Sequence, residues 1–427
     1  MLRLLSISFL VVSILSCSLS GQEAAKKNWY RGNLHTHSLW SDGNDFPDMI
    51  VKWYVDNDYN FLALTDHNIL SNKERWMALS KIEKRGGKNV LEKYRAAFGE
   101  NWVEIRGDLD QGDVAVRLKK YGEIRKRFDK SGEFMLMTGE EISDSVNGLP
   151  LHMNATNLKL LLRPTGGKTI REAMTRNLRA AQQQAEEENR QILVHLNHPN
   201  FGWAVTAEDL AAVTIEKFVE VYNGHPGVNH LGDKNHPSVE RIWDIANTIR
   251  ISELDSAPLF GLATDDSHNY HGKPGSHTGR GWIMVRASEL TSKSILTAVD
   301  QGDFYCSSGV FLDDIKYDPT TGKLSLEISG DKGATYTTQF IGTMKDFDKK
   351  SKPRTDKDGK PIQSTRVYSK DIGKVLATVE GTSPSYQLTG KELYVRAVIT
   401  SDEEHNDPSF KDQKKQAWTQ PVGWRKK

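Results

Sequence analysis

From about Trp29 to Val310 the chain alternates short apolar runs with longer polar stretches of helical spacing. Phe61 to Leu64, Phe134 to Met137, Gln191 to Leu196, Phe218 to Tyr222 and Leu259 to Ala263 are short, apolar and bounded by polar or turn residues. They read as buried strands. Between them, Thr169-Ile170-Arg171-Glu172 is a capping box, followed by Ile170, Ala173, Met174, Leu178 and Ala181 at helical spacing. Thr206 opens a second helix in the same way, and Pro237 suits the first turn of a third that carries Ile242, Trp243 and Ala246. Alternation on this scale predicts an α/β architecture with a parallel sheet, most simply a barrel over residues 27–310. Residues 71–131 are long, charged and helix-rich, an insertion expected at the rim.

The texture changes after residue 310. Leu324, Leu326 and Ile328 alternate with polar residues, as do Leu393, Val395, Ala397 and Ile399 with Tyr394, Arg396 and Val398. Period-two patterning between Gly, Pro and Asp turns predicts a small antiparallel β-sandwich over 311–427. Residues 345–361 read as a solvated loop. At the other end, Arg3 precedes an apolar run from Leu4 to Leu15 that is too short to span a bilayer. A short charged start, an apolar middle and small residues after it read as an export signal over 1–20. Ile14-Leu15-Ser16-Cys17 resembles a bacterial lipobox, in which Cys17 is acylated; cleavage near Gly21 is the alternative. The expected location is periplasmic or extracellular, with the membrane touched only through a lipid on Cys17.

Composition narrows the partners. The 427 residues carry 57 Lys+Arg against 56 Asp+Glu, which leaves no basic excess for coating nucleic acid. Hydrophobic residues make up 37%, enough for a substantial core. Two cysteines exclude a disulfide framework and a Cys-rich metal site, leaving Cys306 as a lone thiol.

Chemistry enters with the histidines, thirteen in all. Leu34-His35-Thr36-His37-Ser38 is followed by Ser41-Asp42-Gly43, and in a strand residues i and i+2 share a face, so His35 and His37 can grip one ion. Thr65-Asp66-His67-Asn68 follows the apolar run ending at Leu64. Gly139-Glu140-Glu141-Ile142-Ser143 precedes His152, and His195-Leu196-Asn197-His198-Pro199 precedes Asp265-Asp266-Ser267-His268. Each piece alone is weak. Together, each following a strand-like run, they imply a metal centre at the mouth of a barrel. Imidazole and carboxylate without thiolate suit Zn²⁺, Mn²⁺ or Fe²⁺.

The order His-x-His, Asp, Thr-Asp-His, Gly-x-Glu-Ile, His, His-Pro and Asp-x-His resembles the PHP (polymerase and histidinol phosphatase) metal-dependent phosphoesterases, over about 280 residues. That resemblance implies a distorted (β/α)₇ TIM-like barrel with two or three divalent ions. It assigns one ion to His35, His37, Glu141 and Asp266, a second to Glu141, His152 and His198, and a third to Asp42, His67 and His268. Glu141 is preferred to Glu140, His198 to His195, and Asp266 to Asp265. Asp42 stands where many members of that family carry histidine.

The reaction expected is hydrolysis of a small phosphate ester by a metal-activated hydroxide. Asp66 is a candidate to orient His67 or shuttle a proton. Arg280 is a candidate to hold a substrate anion, with a plain surface arginine as the alternative; Arg31 is a weaker candidate of the same kind. Histidines 225, 230, 236, 271, 277 and 405 are expected at the surface or rim, with 225 and 271 nearest the mouth. Cleavage of a carbamate or carboxylic ester uses the same parts, and a non-catalytic surface binding protein is the alternative from another class. The exonuclease chemistry of polymerase-linked relatives is opposed by the export signal and the even charge.

Overall fold

The computed structural model describes residues 27–108, 112 and 114–425, so the segment read as an export signal lies outside the described residues. The N-terminal part supplies strands β1 (Asn28–Asn33), β2 (Phe61–Leu64), β3 (Met135–Val146), β4 (Leu149–Thr156), β5 (Leu193–Leu196), β6 (Phe218–Asn223), β7 (Phe260–Thr264), β8 (Trp282–Ala287) and β9 (Phe304–Ser307). Their order in one sheet is β7-β6-β5-β4-β3-β2-β1-β8-β9.

The fold is α/β, but the sheet is mixed rather than parallel. β1, β2 and β3 run parallel, as do β5, β6 and β7, whereas β4 is antiparallel to both its neighbours. The physical reason is a turn signal in the chain. Asn147-Gly148 sits between Val146 and Leu149 with both residues at positive φ (53° and 82°), which is the two-residue hairpin that reverses a strand. β7 is an edge of the ladder, packed beside β8 and β9 without pairing to either among the described residues.

The helical caps follow the chain's local chemistry. Thr169 Oγ1 accepts from Glu172 N at the start of the helix Ile170–Glu187, and Thr206 Oγ1 from Asp209 N at the start of Ala207–Ala212. The third helix, Val239–Ser252, is capped by Ser238, so Pro237 stands just before the cap rather than in the first turn. The insertion contains helices, as expected, and also a three-stranded antiparallel sheet (Arg75–Ala78, Ile105–Arg106, Ala115–Leu118).

The C-terminal part adds β10 (Phe311–Asp318), β11 (Lys323–Ser329), β12 (Tyr336–Met344), β13 (Lys374–Glu380), β14 (Ser385–Gln387), β15 (Glu392–Glu404) and β16 (Lys414–Trp418). β10, β11 and β14 form one sheet, while β16, β15, β12 and β13 extend the central sheet beyond β9. Leu324, Leu326 and Ile328 pack with Val395, Ala397 and Ile399 in the core between them. The alternation in β15 predicts a solvated second face, yet Tyr394 and Arg396 are also buried. They lie against the helix Val239–Ser252, where the Arg396 guanidinium donates to both carboxylate oxygens of Asp244 at 2.9 and 2.8 Å. No helix among the described residues is long and apolar enough to cross a membrane.

Candidate metal centre

The backbone beyond β1 carries His35 and His37. Asn154 Nδ2 donates to Leu34 O (2.9 Å) and His37 N donates to Ser267 O (2.9 Å), while Thr36 and Ser267 form a parallel bridge. That bridge sets Asp266 and His268 beside His35 and His37. A second bridge, His67 to Glu141, does the same beyond β2 and within β3. Asp266 adopts φ 48°, a left-handed conformation that Asp tolerates better than most residues. The two aspartates diverge there. Asp265 accepts from the backbone N–H groups of Gly279, Arg280 and Gly281 and from the Tyr54 hydroxyl. Asp266 faces the histidines.

All nine expected donors come together. They form four overlapping groups whose ligand atoms lie within 4.8 Å of one another: His37, Asp42, His67, His268; His35, His37, Glu141; His35, His198, Asp266; and His67, Glu141, His152. Glu141 is the hub. Its Oε1 lies 3.4, 3.0 and 3.4 Å from nitrogens of His35, His152 and His198, and its Oε2 lies 3.4 and 2.8 Å from His37 and His67. Asp266 Oδ1 lies 3.2 Å from Nε2 of both His35 and His37. Asp42 spans His67 and His268 at 3.3 and 3.4 Å. Separations near 3.3 Å are the edges expected between ligands each about 2.0–2.2 Å from one ion. Glu140, next along the strand, points the other way and accepts from Leu162 N (2.6 Å).

The donors fit a divalent ion on a further count. His35 Nε2, His37 Nε2 and Glu141 Oε2 are buried, and although other donor-group atoms lie 2.8–3.4 Å away, none is aligned for a hydrogen bond, an arrangement that is costly unless something else satisfies it. Burial opposes ionisation throughout the cluster, but the opposite charges win at several positions. Glu141 is held well below the usual carboxylate range by His152, His67 and His35, and Asp266 by His35, His37 and His268. His67 rises to about 11 despite burial because of Glu141 and Asp42. His37 falls to about 3 through burial and the neighbouring His268.

Behind the donors stands a layer of residues that the motifs did not reveal. Glu220 on β6 lies with Oε1 2.7 Å from His35 Nδ1, and its Oε2 accepts from His198 N (2.9 Å) and Asn223 Nδ2 (2.8 Å). Asn223 Nδ2 also donates to Asp266 Oδ2 (3.1 Å), and Asn197 Nδ2 to Glu141 Oε1 (2.8 Å). Such contacts fix the ring orientation and tautomer of a ligand histidine. A signal was present: a glutamate within the apolar run Phe218 to Tyr222 must find partners if the strand is buried. His195 lies beside the same carboxylate, 3.5 Å from Glu220 Oε1, and not in the donor groups.

The two expected catalytic side chains have other work. Asp66 does not bond His67. Its Oδ1 accepts from Ser38 N, Ser41 N and Ser41 Oγ, and its Oδ2 from Ser38 Oγ, so it orders the turn that leads to Asp42. Arg280 is buried with its donors engaged inside the protein: Asp407, Gly224 O, Gly275 O and His277. It is neither a free surface arginine nor an open anion holder, because the acidic partner arrives from the C-terminal part of the chain. Arg31 is stacked over Tyr59 and Trp282. Among the rim histidines, His225 has its ring 5.5 Å from that of His268, and His271 faces Asp45 at 3.4 Å. His405 is buried, with Nε2 3.2 Å from Arg280 O.

No family profile and no curated protein matches the chain. Among solved structures it is similar to a two-domain protein of Bacteroides vulgatus ATCC 8482 containing a predicted PHP-like metal-dependent phosphoesterase. The identity is 15% and the TM-score 0.40, over 92% of this chain and 95% of that one. It is also similar to a protein of Bifidobacterium adolescentis ATCC 15703 named provisionally as a metal-dependent phosphoesterase, at 14% identity and a TM-score of 0.30, over 58% of this chain and 90% of that one. The grouping of donors rests on the distances alone.

Proposed function

We propose that the protein is an exported, PHP-type metal-dependent phosphoesterase acting on a small phosphate ester. The observation that carries this reading is the convergence of nine His, Asp and Glu side chains, with buried nitrogen and oxygen atoms left without an aligned hydrogen bond among them. The barrel reading is supported by the Thr36–Ser267 bridge, which joins the extension of β1 to that of β7. The export reading rests on the pattern of residues 1–20.

The donor set suits two or three Zn²⁺, Mn²⁺ or Fe²⁺ ions. Bound there, such ions would lower the pKa of a coordinated water to about 7 and would offer positive charge to the oxygens of the ester. Glu141, with nitrogens around both its oxygens and a place in two of the donor groups, would hold more than one of them. Asp42 is 54% exposed in its side chain and sits on the solvent side of the donor cluster. Asp66 holds the turn that presents Asp42. Arg280 braces the backbone at Gly224 and Gly275, so charge neutralisation falls to the ions and the imidazoles.

The test is metal analysis with phosphatase assay before and after chelation, beside Glu141→Gln. The expected result is at least one bound ion per chain, activity lost on chelation and restored by metal, and an inactive variant. Less than one ion per chain, or a fully active variant, overturns the reading. Paired aryl phosphate and aryl ester assays separate attack at phosphorus from attack at carbon.

A further inference from the structure

We infer that Phe201 is a stacking platform at the metal centre and that the substrate is an ester of an aromatic, or similarly flat and apolar, alcohol. The inference rests on the phosphoesterase reading and adds the class of organic group. Phe201 is 37% exposed, one of few large apolar side chains left open to solvent among the described residues. Its ring lies 5.2 Å from that of His198, edge to face at 72°, and 5.7 Å from that of His152. Both histidines belong to the donor groups, and the side chain of His152 keeps 15% of its surface open. Phe311, the other exposed aromatic of that size, instead packs on Trp282 at 5.5 Å.

The segment that holds Phe201 is built to keep it there. Phe201 N donates to His198 O (2.9 Å), and Asn200 Nδ2 donates to Asn229 O (3.1 Å) and Pro237 O (2.9 Å). Trp203 stacks flat on His236, with centroids 3.9 Å apart at 8°. Gly202 and Trp203 are both left-handed, at φ 60° and 55°. A Cβ at Gly202 would stand 2.8 Å from the Pro150 ring, and a bulky residue such as Trp203 enters that region only under constraint. The chain thus accepts backbone strain while Phe201 remains beside the histidines and partly open to water. The ring meets that of His198 edge to face, and the surface it leaves exposed is available for stacking. A methyl group on the phosphate is too small to cover that surface; an aromatic ring can.

The experiment is calorimetric titration of metal-loaded wild type, Phe201→Ala and Phe201→Tyr with phenylphosphonate and methylphosphonate, with bound metal counted in each. Phe201→Ala is expected to weaken phenylphosphonate about three- to tenfold, from the worth of one aromatic pair. Methylphosphonate affinity and metal content should stay unchanged, and Phe201→Tyr should restore the phenyl preference. Equal weakening of both ligands, no weakening of either, or loss of metal in Phe201→Ala overturns the inference and leaves the phosphoesterase reading standing. Failure of both phosphonates to bind wild type overturns the two together, so the failures are told apart.

Discussion

His35 Nδ1 and Glu220 Oε1 lie 2.7 Å apart, and both side chains are wholly buried. The contact leaves Nε2 of the same imidazole to face Glu141 and Asp266. One carboxylate therefore settles which nitrogen of His35 is offered to an ion. The same carboxylate holds the backbone of His198, so two donors depend on it.

Replacement of Glu220 by Gln should lower metal affinity about 10- to 100-fold without unfolding the protein. The amide keeps the shape but puts an N–H₂ where one oxygen now accepts, so one of the contacts to His35 and His198 is lost. Competition against a coloured chelator measures the affinity, and circular dichroism checks the fold. Unchanged affinity would remove the role assigned to Glu220.

Arg396 is buried against Asp244 and Glu240, joining β15 to the helix Val239–Ser252. Removing one partner strands the other charge in the interior. Asp244→Asn should therefore cost about 3–5 kcal/mol in urea unfolding, and the paired change Asp244→Asn with Arg396→Met should cost less than either alone. Additive losses would show that the two do not act as a pair.

Asp407 meets Arg280 with its side chain 44% exposed, so solvent weakens what the pair contributes. Asp407→Asn is expected to cost about 1–2 kcal/mol. Its sharper signature is increased hydrogen exchange at the amides of His225 and Ser276, which share peptide groups with the Gly224 and Gly275 carbonyls that Arg280 holds and donate to Asn223 and Asn269. Protection unchanged at both would make Asp407 a surface residue.

Glu216 is pushed up to about 8 by burial, only partly offset by the N–H groups of Phe218 and Lys217. A carboxyl whose folded value lies above its unfolded one binds its proton more tightly when folded. Its contribution is fully present below about pH 4.5 and is lost as pH rises towards 8. Urea midpoints of the wild type should fall across that window, and those of Glu216→Gln should fall less. Parallel slopes would refute the assignment.

The donors were legible because strand periodicity is local. His35 and His37 stand at i and i+2, as do Asp266 and His268, and Glu141 is preferred to Glu140 because it fits the Gly-x-Glu of the family the sequence resembles. The reversal at Asn147-Gly148 was also written locally, as a two-residue turn signal between two strands. Glu220 left a fainter mark, one carboxylate inside an apolar run.

What the chain determined by itself was the set of groups able to meet at strand ends, the helix caps at Thr169 and Thr206, and the patterned halves on either side of residue 310. Local spacing and turn chemistry suffice for these. Only the tertiary structure decided what each polar group is spent on. Arg280 carries the same donors whether it meets a substrate or Asp407, and Asp66 the same acceptors whether it meets His67 or the Ser38–Ser41 turn. Arg396 reads as solvated until the helix Val239–Ser252 covers its face of β15. These outcomes depend on pairings between segments more than a hundred residues apart, or on loop geometry, and no local period encodes either.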